Sequence, residues 1–489
     1  MKSSFGARGA AFTLGGQWVQ YGIQFVSLMV LSRALDPAAF GLVAVVTSVV
    51  VLASTLSDFG LSQSCLRAAE LSAEQRSNVF WINVAAGGVL CLALNAIASP
   101  LAYFYGDVRL ESLCRVMSSV FVISGIGAQY RVGLMRDGLF GPLALSGVIS
   151  ATVGLLSALA GARLGLGAMA LVIQQVAAAL VGLVIVVAAR PWLPLRPKRG
   201  VGTRGIVAFG GVLFLTTLMN AVSSSVDALT LKSFHSNEEV GLYSRSLQIS
   251  RQPMTQLVSP LSRLAIPRAA RAGAEPLKQL ASLRRLYRPV AFTCALGLSL
   301  VVAASDLVTT VFLGGRWVGA GLLVGVLALA SMLQTAQQIM YWMLMVSGRA
   351  RVLFLSEFVP RVAYVALVVL VARHAVVLVC LCAVLMQLMI LVVDVFWGMP
   401  RIGVRWHDAL KVAMEPVGFF LGTSCVMVTV RSLHSSLFPG WVSADLVGLT
   451  VWVASMAVVM TASQPARHAV ARGLRWIVSW VRRIIERTG

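Results

Sequence analysis

Charge is what this sequence has least of. Only 12% of its 489 residues are Asp, Glu, Lys or Arg, against 58% hydrophobic, and the mean hydropathy is +0.85. A soluble domain carries about 25% charged residues, so half that share cannot coat a 52 kDa globule in water. Acid is scarcest, with 18 Asp and Glu against 40 Lys and Arg, a formal net charge of +22. In so apolar a chain that excess is first a topology signal and only second a nucleic-acid footprint. The seven cysteines fall almost all within apolar runs without a Cys-x-x-Cys, which argues against a disulfide framework or zinc site. The five histidines are isolated, and there is no Walker A sequence. Gly165-Leu-Gly-Ala-Met-Ala170 fits a dinucleotide fingerprint but opens an apolar run and follows no strand. No catalytic group, metal or cofactor is expected.

What is present is a succession of apolar runs, each near the ~20 residues that cross a bilayer core. Hydropathy, broken at charges, Gly and Pro, predicts an all-α polytopic membrane protein of about 14 transmembrane helices. Their limits are 10–31, 40–58, 78–102, 111–131, 140–162, 166–189, 205–231, 242–262, 289–313, 318–346, 352–372, 375–398, 412–430 and 441–461. The N-terminal run is longer and more polar than a signal-peptide core and is expected to be retained as the first span. With the N-terminus inside, 29 of the 40 basic residues fall on inner segments, seven outside and four within spans. That bias predicts both termini in the cytoplasm. The tail interleaves arginines with Leu474, Trp476, Ile477, Trp480 and Ile484, the pattern of an amphipathic helix on the inner leaflet. Lipid phosphates adjacent to these basic segments make membrane lipids, and no nucleic acid, the expected partners.

An internal repeat organises the chain. Leu31-Ser-Arg-Ala-Leu-Asp-Pro-Ala-Ala-Phe-Gly-Leu-Val43 has a weak counterpart 200 residues on, Leu231-Lys-Ser-Phe-His-Ser-Asn-Glu-Glu-Val-Gly-Leu-Tyr243. The expected layout is two pseudo-symmetric six-helix lobes, 1–190 and 205–400, joined by a basic cytoplasmic linker, 191–204. Two extra helices (401–465) and the amphipathic tail (466–489) follow. Parallel halves about the membrane normal are a transporter design, with the binding site between them.

Polar stripes on several spans cannot face lipid. On span 8, Arg245, Gln248, Arg251, Gln252, Thr255 and Gln256 fall on one arc at 100° per residue, with Leu247, Met254, Leu257 and Val258 opposite. Pro253 is expected to kink this helix. Arg251 lies ~13 Å below the outer end at 1.5 Å per residue, where an unpaired cation costs at least ~3 kcal/mol. Span 7 carries Thr216, Asn220, Ser223, Asp227 and Thr230 on one face. Asp227 and Arg245 share a depth, and their pairing reads either as a static salt bridge or as an outer gate. Gln17, Gln20 and Gln24 stripe span 1, and Gln338 with Tyr341 stripe span 10. Such groups suit sugar hydroxyls and also serve as glue between helices. Glu357 and Arg361 stand i,i+4 and neutralise each other, while Asp394 sits near an inner helix end where water is close.

The segments 31–43, Ser57-Asp-Phe-Gly-Leu-Ser62 and Asn78-Val-Phe-Trp-Ile-Asn83 resemble the bacterial polysaccharide flippases of the Wzx type. Asp227, Gly241-Leu-Tyr-Ser-Arg245, Pro253, Ser259-Pro-Leu-Ser-Arg263 and Gly314-Gly-Arg-Trp317 continue the resemblance through span 10; spans 11–14 match in hydropathy alone. It implies the multidrug/oligosaccharidyl-lipid/polysaccharide flippase superfamily, alternating access and the bacterial inner membrane. The implied substrate is an undecaprenyl-diphosphate-linked oligosaccharide, moved from inner to outer leaflet for exopolysaccharide, capsule or O-antigen assembly, with polymerase and export proteins as pathway partners. The related lipid II flippases use arginines in the first spans, and span 1 here has none. On this reading Arg251 and Arg245 hold the diphosphate, since a guanidinium matches phosphate bidentately. Gln248, Gln252 and the Gln/Tyr stripes meet sugar, and flipping needs no enzyme chemistry. A drug/cation antiporter of the same superfamily is the alternative. A membrane-embedded polymerase or glycosyltransferase is another, disfavoured by outer connections of only about ten residues.

Overall fold

A computed structural model of the chain describes residues 2–58, 72–198, 211–273 and 275–437, and among these there is no strand. The long helices are α1 (Lys2–Ala34), α2 (Pro37–Asp58), α3 (Ala73–Phe104), α4 (Arg109–Arg136), α5 (Phe140–Arg163), α6 (Ala168–Ala189) and α7 (Gly211–Phe234). They continue as α8 (Asn237–Arg271), α9 (Pro276–Ala303), the short α10 (Ser305–Phe312), α11 (Ala320–Val346), α12 (Ala350–Val371), α13 (Val376–Val393) and α14 (Trp406–Leu437). Each of the first thirteen expected spans lies on this series. The fourteenth (441–461), the tail (466–489), residues 199–204 of the linker and the start of span 7 lie outside the described residues.

Local chemistry sets the ends. Pro37 opens α2, where its missing N–H is no loss. Ser72 and Gln75 cap α3 reciprocally, with both hydrogen bonds at 3.1 Å. Two helices run well past their expected limits: α8 continues to Arg271 and α9 begins at Pro276, so most of the expected 263–288 connection is a helical hairpin. Arginines lower the hydropathy of this stretch, yet Ala265, Ala269, Leu280, Leu283 and Tyr287 recur at helical spacing and bury together. The ninth expected span (289–313) is broken at Ala304, where φ is −117° and ψ 40°.

Among the described residues, ten helices are long and apolar enough to cross a membrane. Leucines and valines on their outer faces stay exposed, Leu92 at 72% and Leu370 at 65%, as lipid-facing side chains do. The protein is a multi-pass, all-α membrane protein. Helices α1, α7 and α8 are not among the ten, and these carry three of the four polar stripes.

Packing divides the chain into two units, Met1–Ser244 with Phe312–Arg316, and Arg245–Val311 with Trp317–Gly489. The division falls inside α8 and not at the 191–204 linker, because α7 packs along α2. In the first unit α3 lies on α4, α5 on α6 and α1 on α5. In the second, α9, α11, α13 and α14 surround one apolar core with Trp342 and Phe420 fully buried.

The two segments related by the 200-residue offset meet in the first unit. A Cβ built on Gly41 would collide with the Asn237 carbonyl and lie 3.0 Å from Gly241 N. One built on Gly241 would collide with the Pro37 carbonyl and lie 3.2 Å from Gly41 N. Backbone therefore touches backbone reciprocally where α2 and α8 begin. Around the crossing, Asp107 in the α3–α4 turn accepts from Arg109 Nη2 and from Asn237 Nδ2, both at 2.8 Å. Tyr105 Oη donates to the Leu229 carbonyl at 3.0 Å. Arg316 pairs with Asp36 at 2.7 Å, but both are largely exposed and the pair adds little.

Two outcomes follow from this clamp. Gly41→Val forces the crossing apart and is expected to destabilise the protein by ~1–3 kcal/mol, the usual cost of overpacking, seen as a lower Tm in detergent. The Arg109 hydrogen bond, with help from Asn237 and against partial burial, holds the Asp107 carboxyl down to about 2. Its folded value lies below the ~4 of an unfolded chain, so its contribution is complete above pH ~4 and is lost as pH falls toward 2. Asp107→Asn is expected to lower Tm at neutral pH and to flatten the Tm–pH curve across that window.

Candidate functional site

The polar arc of α8 is set by what the opposite side of the helix does. Ser246 and Ser250 are fully buried and donate into the carbonyls of Ala320 (3.3 Å) and Val324 (3.1 Å) on α11. Ile249, Met254 and Val258 bury on the same side, and Trp342 Nε1 donates to Ser262 Oγ at 2.9 Å. With that face fastened to α11, Arg245, Gln248, Arg251 and Gln252 are turned to a half-buried face and Thr255 to an exposed one. Arg245 Nη1 donates to Gln248 Oε1, one turn along.

The four cations within spans are held differently. Arg115 pairs with Glu111 and Arg361 with Glu357, each i,i+4 on its own helix. Arg361 Nε lies 2.9 Å from Glu357 Oε2, and both side chains are mostly buried. Arg245 is engaged by Gln248. Arg251 differs: its carbonyl accepts from Thr255 Oγ1 at 3.2 Å, while among the described residues its guanidinium has no ion pair or hydrogen bond.

Other residues marked from the sequence fall into separate groups. In the second unit Tyr341 neighbours Glu357 and Arg361, so span 10 and span 11 candidates do come together. Gln338 is half-buried one turn from Tyr341 on α11, whereas Gln337 is buried and donates to the Gln387 carbonyl, a helix-to-helix tie. In the first unit Gln20 lies against Gly147 of α5, Gln17 Oε1 is buried without a hydrogen bond among the described residues, and Gln24 is exposed. Ser27 on the same stripe accepts from Gln174 Nε2 at 2.9 Å. Asp227 is buried and accepts a 2.5 Å hydrogen bond from the buried Tyr243 hydroxyl.

Asp394 departs from expectation. It is not water-accessible but 2% exposed, at the point where α13 passes into a π-helical stretch, Asp394–Gly398. Its polar neighbours are Ser356 and Glu357, and its Oδ1 meets no hydrogen-bond donor among the described residues. The signal in the sequence is the lone acid in the most apolar of the described spans; π-turns recur at functional sites.

Chemically, α8 offers the Arg251 guanidinium with a neighbouring Arg245/Gln248 pair on a half-buried face, donors of the kind that suit an anion. Relatives include the teichuronic acid biosynthesis protein TuaB of Bacillus subtilis (strain 168), 25% identical over 310 residues, 62% of this chain and 63% of that protein. The lipopolysaccharide biosynthesis protein WzxC of Escherichia coli (strain K12) is 24% identical over 309 residues, 60% and 61% of the two chains. The chain thus spans somewhat under two thirds of these relatives. Among solved structures, lipid II flippase MurJ in an inward closed conformation aligns with a TM-score of 0.70 at 9% identity, over 91% of this chain and 98% of that one. An inward-facing multidrug resistance MATE family transporter aligns at 0.59 and 14% identity, over 81% and 98%. At such identities the likeness is one of fold. A family model described as polysaccharide biosynthesis protein matches residues 30–322, and the chain belongs to that family.

Proposed function

We propose that this protein is a flippase that carries an undecaprenyl-diphosphate-linked oligosaccharide from the cytoplasmic to the outer leaflet of the bacterial inner membrane, by alternating access. Family membership, relatives named for teichuronic acid and lipopolysaccharide biosynthesis, and a flippase-like fold support the reading. The observation that carries it is Arg251: a cation deep in a span, on a half-buried polar face, with no carboxylate to balance it among the described residues. Such a cation is costly unless an anion is delivered to it. A lipid diphosphate is an anion of suitable geometry, and guanidinium binds it through paired hydrogen bonds. Arg245 and Gln248, one or two turns outward, extend the polar face toward the sugar, and Gln252 flanks Arg251.

The bias of basic residues sets the direction. Both termini and the linker lie in the cytoplasm, where lipid-linked repeat units are made, and the short 31–43 and 231–243 turns lie outside. The fold does not separate a lipid flippase from a drug antiporter, since both occur among its structural neighbours. The α8 cation favours the anionic substrate. Transport is the whole of the activity, and exopolysaccharide, capsule or O-antigen assembly, with its polymerase and export proteins, is the pathway it serves.

Loss of one charge-assisted hydrogen-bonded contact costs ~1.5–3 kcal/mol, or roughly 10- to 100-fold. Arg251→Ala is therefore expected to slow translocation of a fluorescent short-chain diphosphate-linked oligosaccharide in reconstituted vesicles by about that factor, at unchanged protein level and Tm. Arg251→Lys is expected to keep part of the activity. Wild-type flipping by Arg251→Ala refutes the assignment of this residue.

A further inference from the structure

The basic, proline-rich segment after α6 is bound along the ends of two helices. Tyr130 Oη donates to the Trp192 carbonyl at 2.7 Å, Leu195 N donates to Ser77 Oγ at 3.1 Å, and Trp81 Nε1 donates to the Leu195 carbonyl at 2.9 Å. Asn78 then takes Lys198 from both sides, its Nδ2 on the carbonyl (2.8 Å) and its Oδ1 under the amide (3.0 Å). Prolines 191, 194 and 197 keep the strap extended. Trp192 packs edge-on to Phe80 and Tyr130, and Arg76 lies over its ring at 4.0 Å.

This docking gathers cations faster than it gathers acids. A Cβ on Gly133 of α4 would collide with Arg76 Nη2 and lie 2.9 Å from Arg190 Nη1, so two guanidiniums from different segments converge over one bare stretch of helix. Arg136 stands within electrostatic reach, and Asp137, ion-paired to Arg190, is the one acid near them among the described residues. Arg76 Nη2 reaches the Gln129 carbonyl at 3.4 Å, while Arg76 Nε is buried without a hydrogen-bond partner among the described residues. Gln129, one turn from Gly133 on the same face, is fully buried, and neither amide atom is hydrogen-bonded among the described residues. A fully satisfied structural ion pair leaves no such surplus of donors. Two guanidiniums converging beside the single carboxylate of Asp137 have the charge and fork geometry of an oxyanion site.

We propose that Arg76 and Arg190, converging over Gly133, bind the phosphate of a membrane lipid head group at the linker end of α3 and α4. Arg190 and Asp137 are about one third exposed, so the site opens to the interface where head groups lie. It is distinct from the α8 face and independent of whether Arg251 contacts a transported lipid. The bound phosphate belongs either to an isoprenyl diphosphate or to a bulk anionic phospholipid.

The test is native mass spectrometry of the full-length protein in detergent, with a short-chain isoprenyl diphosphate or phosphatidylglycerol as the probe. Arg190→Gln and Arg76→Gln are each expected to weaken binding about tenfold, and Arg190→Lys to restore part of it. Gly133→Ala keeps both arginines and places a methyl where they meet, and it is expected to weaken binding at unchanged Tm. Should Arg76→Gln fail to fold, since it also stacks on Trp192, Gly133→Ala and Arg190→Gln decide the matter. Losses confined to the diphosphate identify an isoprenyl lipid, and losses for both probes identify a general phosphate site. Wild-type affinity in Gly133→Ala and Arg190→Gln, or no binding of either probe by the wild-type protein, overturns the proposal. Arg251→Ala is expected to keep this binding, so failure here and failure of the transport assignment read out separately.

Discussion

A charge inside a bilayer has no water to turn to, and this one cost orders the molecule. Two of the four intramembrane arginines meet it with a glutamate on their own helix, Glu111 for Arg115 and Glu357 for Arg361. Such pairs are local, and they leave the neighbouring helices free to pack through apolar and small residues. On α8 the solution differs: serines on one side close onto α11 carbonyls, and the cations are gathered on the other. The helix is thus pinned by hydroxyls on its dry side and left polar on the other, the side proposed to receive an anion.

Satisfaction of polar groups also explains why the three helices outside the apolar set are the informative ones. Their stripes are incompatible with lipid, so each must pack on protein or line a wet space. Part of the α1 stripe is spent on protein, with Gln20 against Gly147 and Ser27 bonded to Gln174. Asp227 on α7 is buried against Tyr243. The α8 arc is the least committed of the three, and this concentrates the functional reading there.

Sequence periodicity foresaw the helices and the α8 arc because both depend on spacing along one chain. It missed what depends on partners. The 263–288 stretch read as a connection because arginines depress its hydropathy, although Leu280, Leu283 and Tyr287 were already at core spacing. Asp394 read as solvated from its place near a helix end, and only the packing of Ser356 and Glu357 about it shows a buried carboxylate. The strap at 191–198 looked like a tether, since proline and charge resist a helix. Nothing in its composition tells that Ser77, Asn78 and Trp81 wait to receive it.

The crossing of Gly41 and Gly241 carries a consequence for how such a chain is put together. Position 41 meets residues 237 and 241, and position 241 meets residues 37 and 41. Contacts that map onto themselves when the partners are exchanged are those of a two-fold homodimer interface. Two separate half-length chains making this contact would depend on concentration to stay together. Joined in one polypeptide, the two segments meet at a fixed effective concentration, and the crossing accommodates different residues at Pro37 and Asn237 provided the two glycines stay.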